Sequence, residues 1–193
     1  MPHRQPLLQL LQAHTPWNTQ EAAHLAATVA FVEAEPDCFK RELLKGHVTG
    51  SVWVTDKACT KVLLNHHKSL NLWMNFGGHC DGDPDVLAVA RRELEEEAGI
   101  AHATFIPSIM DVDTHRIPER IKNGKLEPEH THYDIMFHAW VERDDFVLSE
   151  ESLNIQWVPL TEAMQVIGHD PYNTYHMGRL IQKALVYGAK VSA

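Results

Sequence analysis

The sequence predicts an α/β fold in which a mixed sheet is flanked by helices at both ends of the chain, with one more helix in the middle. Three observations carry this. The first 35 residues have helical spacing of apolar side chains, strand-like runs begin at Val48, and an Ala- and Glu-rich helical segment interrupts those runs after residue 84. Leu7, Leu8, Leu10 and Leu11 start an apolar face, and Pro16 interrupts it. Thr19-Gln20-Glu21 opens a second helix that runs through Phe31 and closes at Pro36. Residues 1–46 are therefore expected to form an N-terminal helical extension. With no Gly- or Ser-rich linker to free it, it should pack on the core or on a partner subunit.

The main domain is expected over residues 47–193. Residues 48–55 and 61–65 read as a hairpin turning at Asp56-Lys57, and residues 72–76 as a strand leading into Gly77-Gly78. Residues 104–115 and 131–142 read as further strands, with the polar segment 118–130 as a loop between them. A short strand over 155–159 and helices over 161–167 and 172–187 complete the chain, the last with Leu180, Ala184 and Leu185 on its apolar side.

A chain of 193 residues supplies one core and an appendage. The net charge of -9 argues against a nucleic-acid polymer or an anionic membrane as partner. It does not exclude nucleotide substrates, since a bound cation supplies positive charge locally. The three cysteines lack CxxC spacing, which fits reduced thiols rather than a disulfide frame. No apolar run approaches the roughly 18 residues of a membrane span. The expectation is a cytoplasmic protein acting on a small molecule, with a homodimer as a candidate assembly.

The most informative segment is residues 78–100, where Glu93, Glu95, Glu96 and Glu97 crowd four carboxylates into five positions. Each like-charge pair at i,i+3 or i,i+4 costs a helix roughly 0.2–0.5 kcal/mol, so the cluster suggests a bound cation. At 100° per residue Glu93, Glu96 and Glu97 fall within an arc of about 100°. Leu87, Ala90, Leu94 and Ala98 form a neighbouring apolar stripe, and Glu95 points elsewhere. Three carboxylates are hard oxygen donors suited to Mg²⁺ or Mn²⁺, which engage substrate phosphates.

This segment resembles the Nudix box, G-x5-E-x7-R-E-U-x-E-E-x-G-U. Gly78, Arg92, Glu93, Leu94, Glu96, Glu97, Gly99 and Ile100 match it in register, eight of its nine specified positions. The chain departs from the pattern at Pro84, where the box has Glu, and Phe76 stands where many members have proline. Asp83-Pro84 still reads as an N-cap followed by a good first helical residue. The departure removes a carboxylate that many members use to support the metals, with Asp81, Asp83 or Asp85 as candidate substitutes. The resemblance implies a Nudix-like α/β/α sandwich and hydrolysis of a phosphoanhydride bond in a nucleoside diphosphate linked to another moiety. It implies Glu96 and Glu97 as ligands of Mg²⁺ (or Mn²⁺), helped by the carbonyl of Gly78. Glu93 is implied as a third ligand or the general base, and Arg92 as the residue that orients these glutamates.

Several other residues have chemistry to offer. His79 follows the box glycine and suits contact with phosphate, and Phe76 or Trp73 could stack on a base. Arg116 could hold a phosphate bidentately, and Glu150 or Glu151 could supply a late-loop carboxylate. His130 and His132, with His115 and Asp134 nearby, could share one face of adjacent strands. That pattern reads as substrate contact, chiefly by His132, or as a transition-metal site, although no HExxH motif appears. ADP-ribose, nucleotide sugars and nucleoside triphosphates all remain open as substrates. The alternatives are a catalytically weak Nudix-like nucleotide-binding protein, or an enzyme like isopentenyl diphosphate isomerase using a cysteine such as Cys80.

Overall fold

The computed structural model describes residues 2–122, 125–168 and 171–191. Helices α1 (Gln5–Ala13) and α2 (Thr19–Ala34) precede strands β1 (Gly46–Asp56), β2 (Lys61–His67), β3 (Leu72–Met74) and β4 (Phe76–His79). Helix α3 (Val86–Ala98) leads to β5 (Thr104–Ile117), β6 (Arg120–Lys122), β7 (Lys125–Glu127), β8 (His130–Val141) and β9 (Ser152–Pro159). Helices α4 (Ala163–Ile167) and α5 (Pro171–Val191) follow.

The main sheet runs β3-β2-β1-β8-β5, with β4 also paired to β1 and β9 to β2. Strand β1 is buried along its whole length except at Asp56, as a central strand covered on both faces must be. It pairs in parallel with β8 from Gly46↔Thr131 to Asp56↔Val141, while the other ladders are antiparallel, so the sheet is mixed. Alternation sends β1 and β8 side chains to two separate cores. Val48, Val52, Val54, Ile135 and Phe137 pack with α1, α2 and α3 through Leu7, Phe31, Val89 and Leu94. Trp53 and Met136 face the other way, onto Ala163 and Ile167 of α4 and Met177, Leu180 and Ala184 of α5. The result is an α/β/α sandwich.

The N-terminal helices are built into this sandwich. Arg4 donates to the carbonyls of Val32 (2.6 Å) and Glu33 (3.0 Å) at the end of α2, where helical carbonyls lack partners. Phe31 stacks on Tyr133 of β8, with ring centroids 3.9 Å apart. Along β5, the backbone N–H of Val112 donates to Glu21 (3.2 Å) and that of Thr114 to His24 Nδ1 (2.9 Å). A buried ionic network joins the same elements. Arg179 of α5 grips Asp111 with two hydrogen bonds of 2.8 and 2.7 Å and reaches Asp113 at 3.2 Å. Lys183 donates to Asp111 (2.5 Å) and to Glu21 of α2 (2.7 Å).

Three local features differ from the sequence expectation. The segment 118–130 is no plain loop, because β6 and β7 form a two-stranded ladder in which Ile121 faces Leu126 and Arg120 pairs with Glu127. Apolar and opposite-charge cross-strand pairs stabilise such a ladder. The strand expected over 72–76 divides at Asn75, since β3 pairs with β2 whereas β4 turns to β1. Helix α3 is capped by Asp85 rather than Asp83: Asp85 accepts the N–H of Ala88 (3.0 Å), and Asp83 is engaged by the N–H of Asp85 (3.0 Å). Pro84 therefore belongs to the turn before the helix. Asp85→Ala is expected to cost about 1 kcal/mol, read as a melting temperature lower by roughly 2–4 °C.

Candidate active site

Helix α3 and strand β4 build the site between them. The apolar face of α3 is buried through Val86, Val89, Ala90, Leu94 and Ala98, and the adjoining face carries Glu93 and Glu97 under the Gly77-Gly78 backbone. The N–H of Gly77 donates to Glu97 Oε2 at 3.0 Å. A Cβ at Gly78 would run into the Glu93 carboxylate, so a side chain there would displace that carboxylate from its place against the strand. Gly99, at φ 67°, ends the helix in the left-handed conformation, which places the box's second glycine at a C-terminal stop.

The electrostatics follow from this burial. Glu97 is 8 % exposed, and burial pushes its carboxyl up to about 8, with Glu93, Glu151 and Glu96 adding repulsion against the opposing Gly77 N–H. Burial also raises Glu93, partly offset by Arg92. Glu96 and Glu95 are exposed. Arg92 donates to the carbonyl of His79 (3.2 Å) and lies 3.5 Å from Glu93, 3.7 Å from Asp83 and 4.0 Å from Glu96. It thereby ties the loop, the helix and the acid nearest Pro84 together.

These groups line a cleft of about 1360 Å³ that also takes in His79, His115, His132, Asp134, Glu150 and Glu151. Glu93, Glu96, Glu97, Arg92, Gly78, His79 and His132 are thus all brought to one place. Two candidates are not. Phe76 is fully buried in the core and offers no face to a base, because β4 turns it inward between β1 and α3. Arg116 stands outside the cleft, exposed and paired with Glu129, since strand alternation points it away from His115. Trp73 stacks on His66 at 4.8 Å. Cys80 is 1 % exposed, and burial drives its thiol far above the usual range, which does not suit a nucleophile.

Sequence reasoning gave little weight to Asp134 and His47. Asp134 is buried at the cleft floor, where it accepts hydrogen bonds from Thr49 and Ser51, both 2.7 Å. The parallel register that sets Thr49 beside Asp134 also sets His47 beside His132. Around them gather His79, His115 and His130, with neighbouring ring centroids 4.8 to 5.3 Å apart. Burial, and then the nearby His130, lower His47 to about 4. Burial and the charges of His115 and His47 lower His132 as well.

The carboxylate set suits a divalent cation. Glu97 is buried and Glu93 half-buried, both with raised proton affinity, and Arg92 stands beside Glu93 and the exposed Glu96, so the set's negative charge is under-compensated, and all three are hard oxygen donors.

A model of the NUDIX domain matches residues 45–179. Among solved structures, a C. elegans Ap4A hydrolase is similar over 74 % of this chain and 98 % of its own, with 22 % identity and a TM-score of 0.50. The E. coli dihydroneopterin triphosphate pyrophosphohydrolase is similar over 70 % and 94 %, with 16 % identity and a TM-score of 0.55. A MutT protein from Methanosarcina mazei Go1 is similar over 74 % and 94 %, with 17 % identity and a TM-score of 0.54. At these identities the likeness is one of fold. No curated protein sequence matches the chain.

Proposed function

The chain belongs to the NUDIX domain family and is a Nudix hydrolase; on that premise we propose that it cleaves a phosphoanhydride bond in a nucleoside diphosphate linked to another moiety. ADP-ribose, a nucleotide sugar and a nucleoside triphosphate are the substrate types. The observation that carries this reading is the pair of buried Glu97 and half-buried Glu93, set against the Gly77-Gly78 backbone at the edge of a large polar cleft. Glu96, Glu97 and the carbonyl of Gly78 would hold Mg²⁺ or Mn²⁺. When bound, such an ion offsets the charge that builds up on the phosphate oxygens during displacement.

The chain's own residues do the rest. Glu93, whose proton affinity is raised by burial, accepts the proton of the attacking water. Arg92 orients Glu93 and Glu96 while donating to the His79 carbonyl, and so links the loop to the helix. Asp83, 3.7 Å from Arg92, supplies an acid beside the position where Pro84 replaces the box glutamate. His79 and His132 line the cleft as contacts for the anionic part of the substrate.

The test is phosphate release, with coupled phosphatase, from a nucleotide panel in Mg²⁺ or Mn²⁺. Ap4A and dihydroneopterin triphosphate join the panel because two structural relatives are named for them. Metal-dependent turnover of one substrate class is expected. No turnover by the wild type, with activity gained in Pro84→Glu, would instead favour a ligand-binding protein that lacks one catalytic carboxylate.

A further inference from the structure

Three imidazoles converge where the hydrolytic chemistry assigns them no joint task. Among the described residues, His47 of β1 and His130 and His132 of β8 form the one trio of ligand-type side chains whose donor atoms all lie within 4.8 Å of one another. The sheet makes the arrangement. His47 and His132 are register partners on adjacent parallel strands, and two-residue spacing puts His130 on the same face.

Two details go beyond proximity. The Nε2 atoms of His130 and His132 are 3.2 Å apart, close to the roughly 3.4 Å separating two nitrogens on a tetrahedral zinc with bonds of about 2.0–2.1 Å. The Nδ1 of His130 lies 2.8 Å from the Pro128 carbonyl. Facing an acceptor, Nδ1 donates, so in the neutral ring the Nε2 lone pair is turned towards His132 and the cluster. An outer N–H bonded to a backbone carbonyl is how metal-ligating histidines are oriented. His47, for its part, is 2 % exposed, and neither of its ring nitrogens makes a hydrogen bond. The Leu43 backbone favours the protonated ring, but less than burial, His130 and Arg41 each oppose it. Burying an imidazole this way is costly unless something else uses its lone pair.

We propose that His47, His130 and His132 form a binding site for one Zn²⁺ ion, with the fourth position open to the cleft. Three neutral nitrogen donors select a borderline transition ion over Mg²⁺, which the carboxylates of α3 suit. Three histidines plus an exchangeable position is the donor pattern of a zinc that handles ligands rather than one that only supports the fold. His132 and His79 both line the cleft, and the His79 ring lies 5.0 Å from His47 and 5.1 Å from His132. The open position therefore faces the space where a substrate's anionic groups would lie. The zinc site itself does not depend on the hydrolase reading, because it shares no ligand with the carboxylates of α3; what meets its open position rests on that reading.

The test uses the full chain, stripped with chelator and dialysed against Zn²⁺, with metal content measured by mass spectrometry. Co²⁺ is substituted in parallel to read its visible absorption. Glu93→Gln/Glu97→Gln and His130→Gln/His132→Gln variants are carried alongside. One tightly held zinc is expected in the wild type and in the glutamate variant, together with a tetrahedral Co²⁺ band. The histidine variant should bind zinc more than a hundredfold more weakly, exceeding the 10- to 100-fold losses seen for outer-shell changes. Zinc absent from the wild type, lost with the glutamates or retained by the histidine variant overturns the site. If the histidine variant fails to fold by circular dichroism, imidazole ¹⁵N shifts of the unaltered protein during a Zn²⁺ titration decide. Shifts confined to this cluster support the site, and their absence refutes it.

Discussion

Glu97→Gln is expected to lower kcat roughly a thousandfold or more, in the range found when one preorganised electrostatic or acid–base group is removed. The same substitution should leave the metal-free fold more stable than wild type at pH 8 and above. Burial raises Glu97 to about 8 from its ordinary 4.5, so the folded chain keeps a proton there that the unfolded chain releases between those values. Wild-type stability without metal therefore falls as pH rises from 4.5 through about 8. Glutamine has no proton to lose and escapes that decline, while the Gly77 N–H keeps an acceptor. Saturating Mg²⁺ or Mn²⁺ should reverse the order, since an ion that binds only the native site stabilises by mass action. Melting curves of both proteins at pH 5 and pH 9, with chelator and with metal, check this. A variant that retains wild-type turnover would remove Glu97 from the chemistry.

Asp111→Ala carries the largest expected effect on stability. Its carboxylate is fully buried against Arg179 and Lys183, and His176 lies at 3.5 Å. Removing it takes away the common partner of two buried cations, leaving Arg179 with Asp113 and Lys183 with Glu21, and breaking a buried pair costs about 3–5 kcal/mol. In a protein of this size the melting temperature should fall by roughly 10–15 °C. Against the pull of burial, Arg179 and His176 hold Asp111 far below the usual carboxylate range, and His115 and His24 do the same for Asp113. The stability these acids lend is thus complete above about pH 4 and is lost as pH falls towards their lower folded values. Wild type and variant should accordingly stay apart down to about pH 4 and draw together only below it, which melting temperatures measured from pH 6 to pH 2 would show. A loss under about 1 kcal/mol at neutral pH would mean that the network adds little net stability.

What could be read beforehand divides by distance along the chain. The carboxylates of α3, its glycine stop and the cation chemistry they suggest lie within residues 78–100, so helical geometry alone placed them on one face. The cap was misjudged because Asp83 and Asp85 both fit the rule, and only the competing hydrogen bonds distinguish them. His47 and His132 are 85 positions apart, and their meeting depends on a parallel register that no local pattern encodes. Asp111 and Asp113 flank Val112, which looks like an ordinary strand with one wet face. That face is instead closed by α5, whose Arg179 and Lys183 gave no separate signal. Phe76 stayed open between base contact and core, because an aromatic before a glycine pair looks the same whether it turns inward or out, and burial settles it as core.

The bonds from α2 to β5 have a consequence for solubility. β5 ends the main ladder, so among the described residues one side of it has no neighbouring strand. An unpaired edge of this kind is a template on which another chain can add a strand. Glu21 and His24 occupy two of its amides from the side, and the bulk of α2 stands where an incoming strand would lie. Helix α2 thus acts as a cover over the one edge of the main ladder at β5, occupying amides that an added strand would need.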